Sequence, residues 1–545
     1  MIKSGKIIGK LVMAACVLTL SACGTESGIY IDEYEDNEEV FDDEEEVYEG
    51  EDGGYEEYGE EEYADSLLNT SNDARKLLLE EYEKLKAEAL ADPVRQKEVT
   101  PEATDIRIYD EISEKYSEVT KDVCTIEMNG RRMQYTFEVI GEPYDSDLYP
   151  LYITLHGGGG AAPELNNGEW VAMMDYYKYN VPEGIYVTVR GMEDVWNLHF
   201  LDDSYPMYDR LIEDMVLLKD ADPNRVYLLG YSAGGDGVYA IAPRMADKFA
   251  AVNMSSGHPN GVSLINTSNL PFEIQVGIRD FYSDTALRSI RGAEFERTFA
   301  EYSKQYGHEY PHRVLVHVPN GHYLNDNFSI SEEEYEVYGI DDPFSYSTNV
   351  LKDPTEFADR AIKENWVQQF LDIFVPLGKE EDVGLLSYCA DTDFPPVLYS
   401  YVTDTLHMAV EEGANTNAVE YVSDFTRNPT PKSFVWDLST RASKRSDAAF
   451  YWLKADYSID KGVINAYYDE EDNMVYLESD GNVKGEVKIL ANPSMMDFSR
   501  PLTIVAKDQE WTVTLEANLD IAAASIRETG DINLAWADEV YVTYE

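Results

Sequence analysis

The stretch Gly230-Tyr-Ser-Ala-Gly234 constrains the fold of this chain more than any other part of the sequence. Its two glycines lack a Cβ, so the backbone can turn sharply and hold Ser232 at the tip of the turn in a strained conformation. The apolar run 226–229 before the turn is typical of a strand buried in a parallel sheet, and residues 236–242 after it suit a helix packed on that sheet. The order strand, serine, helix makes Ser232 a candidate nucleophile.

A second glycine-rich run, His-Gly-Gly-Gly-Gly at 156–160, follows another predicted buried strand at 152–155. Glycines in such a loop can turn their N–H groups toward a ligand because no side chain obstructs them. A serine nucleophile needs two such donors for the negative oxygen that develops when it attacks a carbonyl group. Ala233, directly after the serine, is predicted to offer one N–H, and Gly158 or Gly159 the other.

Four ordered motifs carry a resemblance to a known family. They are Leu-His-Gly-Gly-Gly-Gly at 155–160, Asp-Pro-Asn-Arg-Val-Tyr-Leu-Leu-Gly-Tyr-Ser-Ala-Gly-Gly-Asp-Gly at 222–237, Gln-Val-Gly-Ile-Arg-Asp at 275–280 and Pro-Asn-Gly-His at 319–322. Over residues 150–326 the chain resembles secreted serine esterases of the α/β-hydrolase fold, in particular the polyhydroxybutyrate-depolymerase-like and the feruloyl or acetyl esterases. The resemblance implies a mostly parallel sheet flanked by helices and hydrolysis of short acyl or aromatic esters on polysaccharides, or of polyester fragments.

The resemblance also implies an acid and a base, which follow the serine in that order along the chain. Asp280 lies just past the predicted strand at 272–276, where the acid is expected, and Asp284 is the alternative. Of the five histidines after Asp280, His322 stands in a loop directly after a predicted strand, the exposed place that a proton shuttle needs. The predicted catalytic residues are Ser232, Asp280 and His322, with no metal ion and no organic cofactor.

The substrate pocket is expected at the carboxyl ends of the parallel strands, where catalytic groups gather in sheets of this type. Trp196 and His199 lie in a loop that this topology brings near the nucleophile, and His156 heads the glycine loop. We predict that these three residues line the pocket, with packing inside the protein as the alternative for Trp196 and His199.

The first 22 residues have the pattern of a bacterial lipoprotein signal peptide. Three lysines precede an apolar core at 11–20 that is too short to span a membrane, and the sequence Leu-Ser-Ala-Cys ends at Cys23. By resemblance, the signal is removed before Cys23, and this cysteine carries the lipid that anchors the protein on the extracellular side of a bacterial membrane. An ordinary secretory signal or an uncleaved anchor is the alternative.

Acidic residues dominate the segment at 23–65, and the whole chain has a formal net charge of -62. Residues 32–65 contain no lysine or arginine, so their charges repel and they cannot bury enough apolar surface to fold alone. We predict a disordered tether, with loose binding of calcium or of a basic partner as the alternative. The net charge argues against nucleic acid as a partner, because a phosphate backbone would be repelled.

The chain is predicted to consist of six segments: a signal peptide (1–22), an acidic tether (23–65), a helical lead-in (66–104), an α/β-hydrolase domain (105–375), a helical or irregular connector (376–430) and a small β-rich domain (431–545). In the lead-in, residues 72–90 predict a charged amphipathic helix whose apolar stripe packs on its own domain, with a partner helix as the alternative. Residues 124–139 predict a β-hairpin around the turn signal Asn129-Gly130.

The region after His322 is less regular. The acidic insertion at 326–354 is predicted to be a lid or a rim of the site, and residues 361–374 are predicted to form the closing helix of the hydrolase domain. Short alternating runs beyond residue 431 predict an antiparallel β domain with a hairpin turn at Asp480-Gly481. Its aromatic residues are expected in its core, with a carbohydrate-binding platform as the alternative.

Two cysteines, Cys124 and Cys389, remain beyond the signal region, and they are far apart in sequence. We expect two small buried residues, with a disulfide as the alternative. No cysteines or histidines have the spacing of a zinc site.

Two further functions stay open on the sequence alone. A serine peptidase of the same fold would use the same three residues, and amide rather than ester turnover would distinguish it. A non-catalytic surface binding protein on a hydrolase scaffold belongs to another class. The presence of every predicted catalytic residue argues against this hypothesis, because a site that no longer reacts is expected to have lost at least one of these residues.

Overall fold

The structure is a computed structural model that describes residues 72–110, 115–143, 147–280, 287–318, 320–322, 324, 349–366, 368, 401–442, 445 and 448–545. The predicted signal peptide, Cys23, the acidic tether, Asp284, most of the acidic insertion and Cys389 lie outside the described residues. Within the described ranges, every helix is too short or too polar to cross a membrane.

The α-helices of the described residues are α1 (Asn72–Ala91), α2 (Pro93–Glu98), α3 (Pro163–Tyr176), α4 (Ser204–Lys219), α5 (Ala233–Ile241), α6 (Arg288–Tyr306), α7 (Pro354–Lys363), α8 (Ala418–Ser423) and α9 (Leu519–Thr529). The strands of the first part are β1 (Glu102–Asp110), β2 (Lys115–Met128), β3 (Arg131–Ile140), β4 (Tyr149–Leu155), β5 (Gly184–Arg190), β6 (Ala221–Tyr231), β7 (Ala251–Ser255), β8 (Phe272–Gly277), β9 (His312–His317), β10 (Val350–Leu351) and β11 (Val410–Glu411). The strands of the C-terminal part are β12 (Ser433–Asp437), β13 (Ala449–Phe450), β14 (Leu453–Ala455), β15 (Val463–Asp469), β16 (Met474–Ser479), β17 (Gly485–Ala491), β18 (Leu502–Ala506), β19 (Gln509–Val513) and β20 (Asp538–Tyr544).

The main sheet has the strand order β1-β2-β3-β5-β4-β6-β7-β8-β9-β10-β11. Its centre, β5-β4-β6-β7-β8-β9, is parallel, and the hairpin β2-β3 adds to it in antiparallel orientation. β4 lies between β5 and β6, so the chain adds β5 on one side of β4 and all later parallel strands on the other. A crevice opens at the carboxyl ends of strands where the order reverses in this way. This is the strand arrangement of the α/β-hydrolase fold, as predicted.

The parallel strands are buried on both faces of the sheet. In β6, Val226 and Leu228 belong to the large core that contains α4, α5 and α6, whereas Tyr227 and Leu229 belong to a second core with α3 and α8. Alternate residues of one strand therefore pack under different helices. This is why the parallel strands read as continuous apolar runs in the sequence instead of alternating ones.

The predicted hairpin at Asn129-Gly130 is confirmed. Met128 of β2 pairs with Arg131 of β3, and the two turn residues have φ angles of 52° and 75°, as a type I′ turn requires. The apolar stripe of the lead-in helix packs on two parts of the chain, since Leu78, Leu85 and Ala89 are buried in a cluster with side chains of α4 and of α9 in the C-terminal part.

The predicted closing helix at 361–374 lies largely outside the described residues; of its described part, 361–363, Trp366 and Gln368 are helical, and residues 364–365 interrupt it. α7 begins at Pro354 and ends at Lys363, and Asn365 has a φ of 55°, which no α-helix continues through. The helix starts earlier because Asp353 accepts a hydrogen bond from the N–H of Glu356 at 2.8 Å and proline favours the first helical position. The last residues of the predicted insertion are also regular, since β10 extends the main sheet next to β9.

The C-terminal part forms two sheets, β12-β15-β16-β18-β19 and β13-β14-β17-β20. The prediction of a wholly antiparallel domain is wrong at one pair, because β16 and β18 run parallel. The hairpin turn predicted at Asp480-Gly481 is also wrong, since it joins β16 to β17, which lie in different sheets. Asp480 Oδ1 accepts the N–H of Asn482 at 2.9 Å, a local turn that redirects the chain, and Gly481 has a φ of 81°.

The aromatic residues of the C-terminal part mainly pack in its core, as expected. Trp436, Phe450 and Trp452 are each at most 2% exposed, so the alternative of a carbohydrate platform is wrong for them. Their core is continuous with that of the hydrolase sheet, and buried ion pairs such as Arg427 with Asp531 accompany it. In the hydrolase sheet Cys124 is buried as well, and burial raises the pKa of its thiol to about 11.

Candidate active site

The turn between β6 and α5 holds Ser232 at a φ of 56° and a ψ of -118°. Residues other than glycine rarely adopt this backbone conformation. The flanking glycines make this possible. A Cβ at Gly230 would lie 2.2 Å from the carbonyl oxygen of Gly234, and a Cβ at Gly234 would lie 2.0 Å from that of Leu155. The N–H of Ser232 donates to the carbonyl of Ser255 at 2.9 Å. The turn is therefore packed too tightly for any other residue at these two glycines.

The structure brings the three predicted catalytic side chains together. His322 Nε2 lies 2.9 Å from Ser232 Oγ, and His322 Nδ1 lies 3.0 Å from Asp280 Oδ2. A neutral imidazole with its proton on Nδ1 donates to the carboxylate and accepts the proton of the serine hydroxyl. His322 and Asp280 are buried, while Ser232 is half-buried and reachable. The arrangement has the geometry that proton removal from a serine hydroxyl requires.

Backbone contacts hold His322 over the serine. Its carbonyl oxygen accepts hydrogen bonds from Ser256 Oγ at 2.8 Å and from Tyr231 Oη at 3.2 Å. The loop that carries His322 also crosses β8 closely, because a Cβ at Gly277 would lie 2.0 Å from the carbonyl oxygen of Gly321. Asp280 is fixed from the other side, as Arg288 of α6 lies 3.8 Å from its Oδ1.

The glycine loop offers one oxyanion donor rather than two alternatives. The N–H of Gly159 donates to Asn166 Oδ1 at 2.9 Å, and Asn166 Nδ2 donates back to the carbonyl oxygen of Gly159 at 2.9 Å. Gly159 is therefore the wrong member of the predicted pair, because its N–H is already used. Among the described residues no hydrogen bond engages the N–H of Gly158, which has a φ of 101°. Gly158 and Ala233, the first residue of α5, remain as the candidate donors.

Asn166 of α3 holds the glycine loop in its conformation through these hydrogen bonds. It is fully buried, and its Nδ2 also donates to Asp194 Oδ1 at 2.8 Å. A Cβ at Gly158 would lie 2.1 Å from Asn166 Oδ1, so the loop closes directly onto the amide. Asn166 could not be predicted as a site residue, because a single asparagine carries no signal of this role. The sequence feature that could have indicated it is its position on the helix directly after the glycine loop.

His156 and His199 do not line the pocket, in contrast to the prediction. Both are at most 1% exposed. His156 Nε2 accepts the N–H of Gly191 at 3.0 Å, and His199 Nε2 lies 2.9 Å from the carbonyl oxygen of His156. Burial keeps both rings neutral: it lowers the pKa of His199 to about 3 and that of His156 well below its usual value. The two histidines support the start of the glycine loop from within the protein.

Trp196 lies against the glycine loop, and its role in a substrate pocket stays a prediction. Its side chain is 58% exposed, and its Cα is 3.8 Å from the position of a Cβ at Gly159. Phe200 packs edge-on against it, with ring centroids 5.4 Å apart. An exposed ring in this place offers an apolar surface beside the glycine loop.

Asp236 ties the turn after Ser232 to a neighbouring loop. Its Oδ1 accepts the N–H of His258 at 2.6 Å, and its Oδ2 accepts from Asn260 Nδ2 at 3.0 Å. Burial of this side chain in the first turn of α5 raises the pKa of its carboxyl group. The contact fixes the loop after β7 against the nucleophile turn.

The strand order and the serine turn between β6 and α5 define the class of this protein: it has the α/β-hydrolase fold. No family model matches the sequence, and no curated protein matches it. Among solved structures, it is similar to a thermostable esterase with 18% identity and a TM-score of 0.27, covering 38% of this chain and 61% of that one. It is similar to Est1E from Butyrivibrio proteoclasticus with 12% identity and a TM-score of 0.26, covering 40% of this chain and 95% of that one. A ferulic acid esterase is 15% identical with a TM-score of 0.22, over 39% of this chain and 90% of that one.

Proposed function

We propose that this chain is a serine hydrolase that cleaves carboxylic esters through an acyl-enzyme intermediate. The observation that carries the proposal is the pair of hydrogen bonds that joins Ser232 Oγ to His322 Nε2 and His322 Nδ1 to Asp280 Oδ2. The strained serine turn and the glycine loop beside it complete the set of groups that acyl transfer needs.

The first half of the reaction forms the acyl-enzyme. Ser232 Oγ attacks the ester carbonyl carbon while its proton passes to His322 Nε2 across the 2.9 Å hydrogen bond. The carboxylate of Asp280 stabilises the imidazolium that results. The negative oxygen of the tetrahedral intermediate accepts hydrogen bonds from the N–H groups of Gly158 and Ala233. When the intermediate collapses, the alcohol leaves with the proton from His322, and the acyl group stays on Ser232.

The second half of the reaction releases the acid. A water molecule takes the place of the alcohol, and His322 removes its proton as it attacks the acyl carbonyl carbon. The same two N–H groups stabilise the second tetrahedral intermediate. The C–O bond to Ser232 then breaks, and the serine regains its proton from His322. The proposed cycle needs groups of this chain and water alone.

The substrates that we propose are short acyl or aromatic esters on polysaccharides, or fragments of polyesters, outside the cell. The resemblance of residues 150–326 to secreted esterases supports this class. The exposed ring of Trp196 beside the glycine loop supports it too, because a flat apolar surface suits an aromatic acyl group or a sugar ring.

Labelling with a fluorophosphonate tests the nucleophile. The parent protein, Ser232→Ala and the control Ser458→Ala, which changes an exposed serine of the C-terminal part, are treated with the probe and assayed with p-nitrophenyl acetate. We expect labelling and turnover in the parent and in the control, and neither in Ser232→Ala. A folded parent that neither labels nor turns over contradicts the proposal and favours a binding protein. Faster turnover of a matched p-nitroanilide than of the ester would favour the peptidase.

We also propose that lipid on Cys23 anchors the protein to the outer face of a bacterial cell membrane, with the acidic segment 23–65 as a tether. The pattern of residues 1–23 supports the anchor, and the charge of the segment supports an extended tether. Metabolic labelling with a palmitate analogue tests it. Label and membrane association should both be lost in Cys23→Ser and kept in Cys124→Ser, and label retained by Cys23→Ser would contradict the anchor.

A further inference from the structure

The turn after β7 contains a second strained serine. Ser256 has a φ of 52°, in the left-handed region that residues other than glycine and asparagine rarely adopt, and its side chain is fully buried. Glycine would take this conformation without strain, so the presence of a serine needs an explanation in what its hydroxyl contacts. Strained residues of this kind concentrate at functional sites, where the surrounding structure holds them in place.

The neighbouring backbone holds Ser256 in this conformation from two sides. Its N–H donates to the carbonyl oxygen of Gln275 in β8 at 2.8 Å. The next residue, Gly257, packs directly on the start of α5, because a Cβ on it would lie 2.4 Å from the carbonyl carbon of Gly235. These contacts fix the position of the Ser256 side chain within the turn.

Two consecutive residues of this turn bind the two halves of the proposed catalytic site. The carbonyl oxygen of Ser255 accepts the N–H of Ser232 at 2.9 Å. The hydroxyl of Ser256 donates to the carbonyl oxygen of His322 at 2.8 Å, and Tyr231 donates to the same oxygen at 3.2 Å. The turn therefore connects the backbone of the candidate nucleophile to the backbone of the candidate base.

This connection bears on the reaction because a general base must lie within about 2.6–3.2 Å of the group whose proton it removes. In the structure, His322 Nε2 is 2.9 Å from Ser232 Oγ. A shift of the imidazole by about 1 Å would take it out of this range, and a misplacement of this size costs about 100-fold in rate. Any contact that sets the main chain of His322 therefore contributes to the rate of proton transfer.

We propose that Ser256 is a positioning residue for His322. The inference rests on the proposed function. The hydroxyl of Ser256 holds the main chain of His322 where its Nε2 meets Ser232 Oγ, and the strained backbone of Ser256 directs the hydroxyl at that carbonyl oxygen. Ser256 thus acts through His322 and takes no proton itself.

Two substitutions separate the hydroxyl from the strain. Ser256→Ala removes the hydroxyl and keeps the strain, whereas Ser256→Gly removes both, and glycine adopts this φ readily, so the second variant should fold. With p-nitrophenyl butanoate we expect kcat to fall by about 10-fold to 100-fold in both variants and KM to change by less than about threefold. The rate of fluorophosphonate labelling should fall by the same factor as kcat, because both depend on activation of Ser232 by the base.

A double substitution shows whether Ser256 acts through His322. His322→Ala should keep the residual rate that the oxyanion donors supply. In this background the further change Ser256→Gly should leave kcat unchanged, because the residue through which it acts is gone. A loss by the same factor with and without His322 would overturn the inference, since Ser256 would then act on another part of the site.

Ser525→Ala is the matched control. Ser525 of α9 is also buried, and its hydroxyl donates to the carbonyl oxygen of Ala522 at 2.9 Å. The control removes a buried hydroxyl and its hydrogen bond to a backbone carbonyl far from Ser232 in the chain. It should lower the urea midpoint of unfolding and keep the kcat and the labelling rate of the parent.

The outcomes separate the inference from the proposed function. A kcat like that of the parent in Ser256→Gly would show that the hydroxyl does not position His322. A rise in KM that accounts for the whole loss of kcat/KM would place the effect on substrate binding and overturn the inference as well. If the parent and Ser232→Ala hydrolyse the ester at the same rate, the proposed function itself fails, whatever the Ser256 variants do.

Discussion

Asn166→Ala should show how much the position of the glycine loop contributes to catalysis while the hydrogen bonds among Ser232, His322 and Asp280 stay intact. The amide of Asn166 makes three hydrogen bonds of 2.8 to 2.9 Å, two to the backbone of Gly159 and one to Asp194. Alanine removes all of them and leaves the N–H and the carbonyl of Gly159 without this partner. The hydrogen bonds that join Ser232, His322 and Asp280 to one another do not involve Asn166, so their geometry should persist.

The expected effect on catalysis follows from the donor that the loop supplies. Removal of one oxyanion donor costs about 3 kcal/mol of transition-state stabilisation, or 100-fold to 1000-fold in kcat. Asn166→Ala frees the loop instead of deleting the donor, so we expect the lower end, a loss of about 100-fold. KM should change by less than about threefold, because the interaction forms only in the transition state. Buried polar groups left unpaired should also lower the free energy of unfolding by about 1–3 kcal/mol each.

The assay measures kcat and KM for p-nitrophenyl butanoate together with urea unfolding. The control is Asn266→Ala, which removes another buried asparagine with several bonds: Asn266 donates to Thr440 Oγ1 at 2.6 Å and accepts the N–H of Asp437 at 2.6 Å. It lies where the C-terminal part meets the hydrolase domain and should lower stability without lowering kcat. If Asn166→Ala loses stability as the control does and keeps the parent's kcat, Asn166 does not position the oxyanion donor of the glycine loop.

Two further predictions concern stability. His156 and His199 have folded-state pKa values below the value of about 6.5 in the unfolded chain, so the unfolded chain binds more protons below that pH. The free energy of unfolding should therefore fall by about 2 kcal/mol for each ring between pH 6.5 and 5. Urea unfolding of the parent and of His199→Gln measures this fall, which should be smaller in the variant. Arg427→Ala, which leaves the buried carboxylate of Asp531 without its partner, should cost about 3–5 kcal/mol with kcat unchanged, whereas Lys432→Ala at an exposed ion pair should cost less than about 1 kcal/mol. Equal losses in these two variants would contradict the assigned burial.

The parts of the fold that could be predicted are those with a local cause. The turn at Asn129-Gly130 needs positive φ at both residues, and the serine turn needs glycines on either side of Ser232; both requirements are visible in the residue types. Strand and helix periods are local as well, and they located the parallel strands to within a few residues. Ser232, Asp280 and His322 could be proposed because each follows such a strand.

The errors arose where a partner distant in sequence decides the role of a residue. From the sequence, Gly158 and Gly159 are equally suitable donors, but in the structure Asn166 engages the N–H of Gly159. His156 was predicted as a pocket residue because it heads the glycine loop, but the packing of β4 against β5 turns its ring inward toward Gly191. Asp480-Gly481 has the residues of a hairpin turn, yet the strands that it joins belong to different sheets.

The sequence by itself therefore determined the serine turn and the positions of the parallel strands, because backbone conformation and the period of burial depend on residues next to each other in the chain. The resemblance of residues 150–326 to serine esterases implied the α/β-hydrolase fold and the order in which Ser232, Asp280 and His322 follow the strands. Only the tertiary structure decided that Asn166 engages the N–H of Gly159 and which histidines lie inside the protein. Those facts depend on which helix and loop meet at the end of β4 and β6, and hydrogen bonds and charges across such a crevice join residues that no local pattern connects.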